Sequence, residues 1–245
     1  MNAKIRLYVD HPLGAGQTVP LDKEQAHYLF GVMRLGVGDV LLVFDGTSGE
    51  WLAEVTQAGK RAGELRCIEQ TRPLLMPPDL WLLFAPIKKA RTDFIVEKAA
   101  EMGAREIHPV QTAFTNSDRI RQDRLQAHAR EAAEQCGGTF VPRVRDLARL
   151  ERVLDAWPEE RQIIFCDEAL AGLRDPIAQL SSNLGPDQPA AILIGPEGGF
   201  RDDERARLAK MPVATAISLG PRVLRADTAA VAALTLWQGV AGDWR

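Results

Sequence analysis

The sequence predicts an α/β protein in which a small β-rich unit precedes a larger domain with a mainly parallel sheet. From residue 80 onward, buried-strand patterns alternate with helix patterns, which is typical of helices that cover a parallel sheet. Leu80 to Phe84 is continuously apolar, as expected for a strand that is covered on both faces. Pro73, Pro77 and Pro78 come just before it, and prolines interrupt helices and central strands. A linker should therefore join the two units.

The first 72 residues are predicted to form a small barrel of short strands around one helix. Apolar residues alternate with Arg6 and Tyr8 over positions 5–9, which is the period of a half-buried strand. Further strands are expected at 40–44, 51–55 and 64–68. Asp22 can cap a helix whose apolar residues share one side; they are Ala26, Leu29, Phe30 and Met33. We place the linker at residues 73–79.

The larger domain is predicted to span residues 80–245. Its strands are expected at 80–84, 107–110, 162–166, 190–194 and 214–219, and helices at 92–102, 120–136 and 228–238. The last helix carries Val231, Leu234 and Trp237, which suit either ordinary core packing or a dimer interface.

The composition is that of an ordinary globular protein. No stretch approaches the ~18 apolar residues of a membrane span, and the N-terminus lacks the apolar core of a signal peptide. Three widely spaced cysteines indicate neither a disulfide framework nor a zinc ribbon, and four scattered histidines lack metal-ligand spacing. We therefore expect a cytoplasmic protein with no membrane and no metal partner. The net charge of −3 leaves an RNA partner open, although RNA-binding proteins are usually basic.

Two Gly-Pro turns near the C-terminus form the most informative pattern. Gly195-Pro196 ends one apolar run, and Gly220-Pro221 ends another about 25 residues later. A single turn of this kind needs no ligand, because glycine and proline simply end the strand. Two strand-end loops of similar composition favour a pocket lined by main-chain groups.

Two common site types do not fit this pattern. The stretch from Gly195 to Gly199 lacks the glycine offsets of the dinucleotide motif G-x-G-x-x-G, and no acidic residue follows about 20 positions later. The chain also has no G-x-S-x-G nucleophile turn. The loops therefore predict neither a dehydrogenase nor a serine hydrolase.

Three charged residues beside the turns can have either a structural or a ligand-binding role. Glu197 lies before an acidic helix start, where negative charge suits the helix dipole, and Arg222 and Arg225 could be solvated or ion-paired. Arg225 also lies immediately before the closing helix. There a guanidinium could bind a phosphate or a nucleobase carbonyl with two hydrogen bonds.

The two turns and their flanking residues resemble the RsmE-type methyltransferases of the SPOUT superfamily. The resemblance rests on 194–200 and 219–225, with support from 34–39, 44–46, 97–103 and 134–137. It implies an N-terminal PUA-like β-barrel and a C-terminal SPOUT α/β domain tied in a trefoil knot. It also implies methylation of uridine N3 in 16S ribosomal RNA of the small subunit, S-adenosylmethionine (SAM) as cofactor, and a homodimer whose site is completed across the interface.

Carried over residue by residue, the resemblance implies a complete site. The implied cofactor-binding residues are Phe84, Pro86, Leu193, Ile194, Gly195, Pro196, Glu197, Gly198, Leu219, Gly220, Val223 and Leu224. As a hypothesis of mechanism, we expect Arg225 to be the catalytic residue, which holds the uracil or its neighbouring phosphate. The expected RNA-binding residues are Arg6, Arg34, Lys88, Lys89, Arg91, Lys98 and Arg222.

This chain departs from the family pattern at two places. Ala226-Asp227 stands where Thr-Glu is common, so the carboxylate is retained but shorter. Gly138 replaces a frequent arginine, which puts an RNA contact there in doubt, although Arg143 could supply one. Two other functions remain open: a SPOUT enzyme for another target, such as a transfer-RNA ribose hydroxyl, and a non-enzymatic RNA-binding assembly factor.

Overall fold

The fold is described from a computed structural model that covers residues 3–117, 119–173, 175–185 and 187–244. Contacts divide the chain into two compact units. The first consists of the residues up to 76 together with 133–141, and the second contains 77–132 and the residues from 142 onward. The segment 133–141, which we expected in the second domain, therefore packs with the first.

The first unit is built on a five-stranded sheet. Its strands are β1 (Arg6–Tyr8), β2 (Thr18–Leu21), β3 (Val40–Phe44), β4 (Glu50–Ala58) and β5 (Gly63–Arg72). They are ordered β1-β3-β4-β5-β2; β1 and β3 are parallel and the other pairs antiparallel. Ile5, Leu7 and Val9 are buried in the core of this unit, which confirms the alternating pattern.

The helix of the first unit changes geometry after its first turn. Asp22 caps α1 (Lys23–Ala26) in a capping box, and the chain continues as a π-helix over residues 27–32. The Met33 N–H donates to the Tyr28 carbonyl at 2.9 Å, a five-residue step that is wider than an α-turn. The wider turn rotates Met33 off the buried side, so it is 41% exposed, and its predicted place beside Leu29 is wrong.

The second unit contains a sheet in which every recorded strand pair is parallel. Its strands are β6 (Leu80–Phe84), β7 (Glu106–Gln111), β8 (Arg143–Val144), β9 (Ala148–Arg149), β10 (Gln162–Cys166), β11 (Ala190–Ile194) and β12 (Ala214–Ile217). Its helices are α2 (Lys89–Glu101), α3 (Gln122–Cys136), α4 (Leu150–Asp155), α5 (Pro176–Asn183), α6 (Asp202–Lys210) and α7 (Ala226–Val240). The main order is β12-β10-β11-β6-β7-β8, and β9 also pairs with β7. The α/β class is confirmed, whereas the trefoil knot stays a prediction.

Both faces of this sheet are covered, as its apolar strands require. Ile192 and Ile194 of β11 pack into one core cluster, and Leu193 packs into the cluster on the opposite face. Leu234 and Trp237 of α7 are almost completely buried in the first cluster, so core packing accounts for their apolar character. Within the described residues, no helix combines the length and apolar character needed to cross a membrane.

The strand order brings three loops to one edge of the sheet. Cys166, the last residue of β10, is in register with Ile194 of β11 and with Ile217 of β12. Because the strands are parallel, the segments that follow them leave from the same edge. Ligands of open α/β sheets bind outside this carboxyl edge, where the strand order reverses.

Candidate active site

A cavity lies at the carboxyl edge of β10, β11 and β12. Concave sites at this edge are where open α/β sheets bind their ligands. The lining residues are Cys166, Asp167, Glu168, Ala171, Ile194, Gly195, Pro196, Glu197, Gly199, Leu219, Gly220, Arg222, Val223, Leu224, Ala226 and Ala229. Both Gly-Pro turns therefore contribute to one site.

The first turn needs glycine because other groups approach its backbone closely. The Gly199 N–H donates to the Pro196 carbonyl at 2.9 Å, and Gly199 has a φ of 69°, which residues with a side chain rarely adopt. A Cβ on Gly199 would overlap the Glu168 carboxylate. A Cβ on Gly195 would lie 3.1 Å from the Phe200 ring. The turn is therefore held in a shape that leaves its main chain accessible to a ligand.

The second turn is held by the buried side chain of Ser218. The Ser218 Oγ accepts the Gly220 N–H at 3.2 Å, and Gly220 has a φ of 105°. The Gly220 carbonyl accepts the Gly172 N–H at 3.0 Å. These bonds fix the main chain of Gly220 and orient the adjoining Leu219 at the cavity.

The segment after β10 forms a third wall, which the sequence analysis missed. The Asp167 N–H donates to the Ile217 carbonyl at 3.1 Å, which ties this segment to β12. Arg205 of α6 forms ion pairs with Asp167 at 3.0 Å and with Glu168 at 2.7 Å. Burial raises the pKa of the Cys166 thiol, so Cys166 adds a neutral surface. The carboxyl-edge rule applied to the strand at 162–166 could have found this wall.

Eight of the twelve expected cofactor residues line the cavity, and four do not. Leu193 faces the core cluster on the other side of the sheet, and Phe84 is fully buried in the cluster nearer α7. Pro86 is buried, and Gly198 is exposed beside the Phe114 ring. The alternation of side chains along a strand explains why Leu193 points away while its neighbour Ile194 faces the cavity.

An ion-pair cluster connects the two turns. An Arg91 guanidinium nitrogen of α2 lies 3.1 Å from the Glu197 carboxylate, and the Arg91 Nε lies 3.7 Å from Asp227. Glu197 lines the cavity, and Asp227 directly follows the lining residue Ala226. Arg91, an expected RNA-binding residue, is thus next to both carboxylates that flank the site.

Arg225 and Arg222 remain available to an anionic ligand. Arg222 lines the cavity, while Arg225 is the exposed N-cap residue of α7 between two lining residues. Within the part of the chain that the structure describes, neither guanidinium has a recorded ion pair. The Arg225 carbonyl accepts the Ala229 N–H at 2.7 Å, which fixes its backbone at the helix start.

The other expected RNA-binding residues differ in their availability. Lys88 and Lys89 are exposed at the start of α2, and Arg34 is exposed with an unusual φ of 59°. Lys98 forms an ion pair with Glu101 at 2.6 Å, which occupies its ammonium group.

Arg6 requires a correction, because its side chain is only 12% exposed. It forms an ion pair with Glu50 at 2.6 Å and lies 3.8 Å from the centre of the Phe44 ring. Its other donors bind carbonyls of the segment 133–138. These protein acceptors give Arg6 a structural role in the first unit, which a pattern of half-buried alternation could not reveal.

The cavity fits SAM by the chemistry of its walls. At the lining residue Gly220 no atom lies within 4 Å of the place that a Cβ would take, so a flat adenosine can approach the main chain there. Ile194, Leu219 and Leu224 offer apolar surface, and the acidic wall suits a cationic ligand. Within the described residues, no group of three or more histidine, cysteine, aspartate or glutamate side chains could hold a metal ion.

Comparison with known proteins agrees with this geometry. Residues 75–238 match an RNA methyltransferase domain, and residues 21–66 match an RNA methyltransferase PUA domain. The chain is 30% identical over 230 residues to ribosomal RNA small subunit methyltransferase E of Rickettsia conorii, covering 94% of this chain and 93% of that protein. It is 27% identical over 227 residues to the protein of the same name from Bacillus subtilis, covering 89% of this chain and 88% of that one.

Two similar solved structures contain the cofactor. A methyltransferase of Legionella pneumophila in complex with SAM is 27% identical, with a TM-score of 0.85 over 99% of this chain and 100% of that one. A ribosomal RNA small subunit methyltransferase E of Neisseria gonorrhoeae bound to SAM is 26% identical, with a TM-score of 0.82 over 98% and 99%. Both cover this chain almost completely.

Proposed function

Because the chain belongs to the family of ribosomal RNA small subunit methyltransferase E, we propose that it methylates N3 of a uridine in 16S ribosomal RNA. The observation that carries the proposal is the single cavity formed by both Gly-Pro turns at the carboxyl edge of the sheet. The fold of the chain matches that of similar structures that hold SAM, so the protein is a SAM-dependent ribosomal RNA methyltransferase.

The walls of the cavity would orient the cofactor and keep water from it. SAM supplies a methyl group on a sulfonium cation, which an aligned nucleophile can accept. The main chain of Gly195 would hydrogen-bond the adenine edge, and Ile194 and Leu219 would cover its faces. Such orientation lowers the barrier because the reacting atoms are held in line.

Uracil N3 carries a proton that must leave before or during attack. Glu197 and Asp227 are the two carboxylates next to Arg91 at the cavity, and an oxygen of either could accept this proton. Asp227 is the more buried of the two, at 20% exposed against 52% for Glu197. Water is a third acceptor, and separate Asp227→Asn and Glu197→Gln variants would distinguish the three.

Arg225 would hold the uracil or a neighbouring phosphate. Its exposed guanidinium follows the cavity wall at Leu224, so it can stabilise negative charge that develops on the uracil oxygens. Arg222 would bind the adjoining RNA backbone. The 16S RNA substrate also leads us to propose a cytoplasmic location.

We further propose that the enzyme works as a homodimer whose second copy completes the site. Val223 lines the cavity and is 70% exposed, and Phe114 beside Gly198 is 45% exposed. Apolar side chains at the rim of a site are typical of an interaction surface. Sedimentation of the purified protein would test this: a monomer at every concentration contradicts it.

The proposed function is tested by methyl transfer to purified 16S RNA and small subunits, followed by mass analysis of nucleosides. We expect 3-methyluridine with the wild type and about a hundredfold less with Arg225→Ala, the typical effect of losing one charge-stabilising donor. SAM binding measured by calorimetry should be unchanged. Arg66→Ala, at an exposed ion pair in the first unit, is the control and should methylate normally.

The alternatives give different results in the same assay. A ribose-methylated product would identify another class of target. Failure to bind SAM at millimolar concentration, together with RNA binding, would support a non-enzymatic assembly factor. Wild-type methylation by a folded Arg225→Ala protein would refute the role of Arg225.

A further inference from the structure

A second groove lies between the starts of α2 and α3, in the same unit as the active site. Its lining includes Ile87, Lys89, Arg119, Ile120, Arg124 and Leu125. None of them lines the cofactor cavity.

The groove combines an apolar floor with cationic walls. Ile87 and Leu125 belong to the core, and Ile120 packs against it. Arg124 pairs with Asp93, and Arg121 pairs with Asp123 at 2.6 Å. These two ion pairs neutralise part of the positive charge of the groove.

Two cations of the groove have no acidic partner among the residues that the structure describes. Lys89 and Arg119 are both exposed, and neither has an ion pair within the described ranges of the chain. The unmatched charge favours an anionic ligand, while the floor favours one that also has an apolar face. An unpaired nucleotide has both, since its base can pack on apolar or guanidinium surfaces while its phosphate meets cations.

The groove shares the first turn of α2 with the active site. Lys89 lines the groove, and Arg91, two residues later, pairs with Glu197 of the cofactor cavity. Thr92 fixes the chain before this turn, because its Oγ donates to the Ile87 carbonyl and accepts the Ile87 N–H, each at 3.0 Å. An RNA strand whose target uridine occupies the cavity could therefore place a nearby nucleotide in the groove.

We propose that this groove is a subsite for an unpaired nucleotide that flanks the methylated uridine. The inference rests on the proposed function for its choice of RNA. Lys89 and Arg119 would contact the phosphates, and Ile120 would contact the base. A groove of this kind would select single-stranded over paired RNA.

The test measures binding of a fluorescein-labelled ten-nucleotide oligouridylate by anisotropy over a range of salt concentrations. The double variant Lys89→Gln/Arg119→Gln should reduce the salt slope by about 1.4, because each single-strand phosphate contact contributes about 0.7. Its affinity at 0.1 M salt should fall roughly tenfold. The matched control Arg201→Gln/Lys210→Gln removes the same charge from exposed positions on or beside α6 and should keep the wild-type slope.

Ile120→Ser separates base contact from phosphate contact. It should weaken oligouridylate binding without changing the salt slope, while thermal unfolding verifies that the variant is folded. SAM affinity, measured by calorimetry, should be unchanged in every groove variant, so loss of the cofactor site cannot explain the result.

Three results would overturn the proposal. One is wild-type slope and affinity in the Lys89→Gln/Arg119→Gln protein, and another is equal binding of duplex RNA of the same length. The third is a methylation defect on intact small subunits with normal oligouridylate binding, which would indicate a protein partner instead. Because binding is measured without catalysis, failure of the proposed methylation would be seen separately, as a wild type that binds the oligonucleotide but makes no 3-methyluridine.

Discussion

Replacing Gly199 by alanine should disturb the cofactor cavity through two separate effects. The backbone φ of 69° is left-handed, and a residue with a Cβ loses roughly 1–2 kcal/mol there. The new Cβ would also lie 2.8 Å from the Glu168 Cδ, so Glu168 must move away from Arg205. An exposed ion pair of this kind contributes about 0–1 kcal/mol.

Together the two effects predict a loss of about 2 kcal/mol. If the turn keeps its shape, this loss lowers the unfolding free energy, which chemical denaturation would measure. If the turn instead relaxes and must be restored by the ligand, the same energy weakens SAM binding about thirtyfold. Calorimetric titration with SAM would measure that change. The sum of the two changes should be close to 2 kcal/mol.

Two control variants separate the backbone strain caused by a Cβ at a positive φ from the steric overlap of that Cβ with Glu168. Gly220→Ala places a Cβ at a φ of 105°, where no atom lies within 4 Å, so it tests strain without overlap. Adding Glu168→Ala to the Gly199→Ala variant removes the overlap and should recover part of the loss. If Gly199→Ala keeps both wild-type stability and wild-type SAM affinity, the reasoning from the close approach is refuted.

Three further perturbations have defined outcomes. Burial would raise the pKa of Glu50, but hydrogen bonds from arginine and threonine outweigh this effect and lower the pKa to about 2. The ionised carboxylate therefore stabilises the first unit above pH 4.5. This stabilisation is lost as the pH falls towards 2. Glu50→Gln should lower the melting temperature at pH 7 and flatten that acid dependence, and equal acid profiles for the two proteins would contradict this. Gly239→Ala, at an exposed position of α7 with no atom within 4 Å of the added Cβ, should raise the unfolding free energy by about 0.5–1 kcal/mol, and an unchanged value in chemical denaturation would count against it. Arg91→Ala should reduce methyl transfer about fivefold, in proportion to the ~1 kcal/mol that an exposed ion pair contributes, and Arg91→Lys should recover part of it by retaining a charge beside Glu197 and Asp227.

The buried strands of the second unit could be predicted because their signal is local. β6, β10 and β11 begin and end at the predicted residues, since a strand covered on both faces needs an unbroken apolar run. β12 ends at Ile217, before the predicted limit, because Ser218 bonds to the turn instead. The Gly-Pro turns were visible for the same reason, as their residue types follow from backbone geometry.

The third wall of the cavity depends on the order of strands, which the sequence does not state locally. Asp167 and Glu168 carry no glycine or proline signal. They reach the site because β10 pairs with both β11 and β12. Sequence patterns identify strands more readily than their neighbours in a sheet. The carboxyl-edge rule could therefore have indicated that this segment lies at the ligand edge, but only the strand order shows that it meets both Gly-Pro turns.

Arg6 shows the same limit for charged residues. An arginine on a half-buried strand is normally exposed, yet the carbonyl acceptors of Arg6 lie in a segment more than a hundred residues away. The Met33 position depended on a π-helix, for which no reliable local pattern exists. The burial of Arg6 and the exposure of Met33 both depend on distant contacts or on backbone geometry that the hydrophobic periodicity of the sequence does not encode.

The discontinuity of the first unit has a consequence for synthesis. A ribosome releases the chain from its N-terminus, and domains generally fold as they emerge. Here the carbonyls that receive Arg6 follow it by 127 to 132 residues, and the unit includes residues up to 141. The five strands can pair once Arg72 is made, but Arg6 lacks these carbonyl acceptors while β6, β7 and most of α3 are made. A fragment that ends at Met76 would lack these carbonyls, so we expect it to be less stable than a form of the unit that also carries residues 133–141.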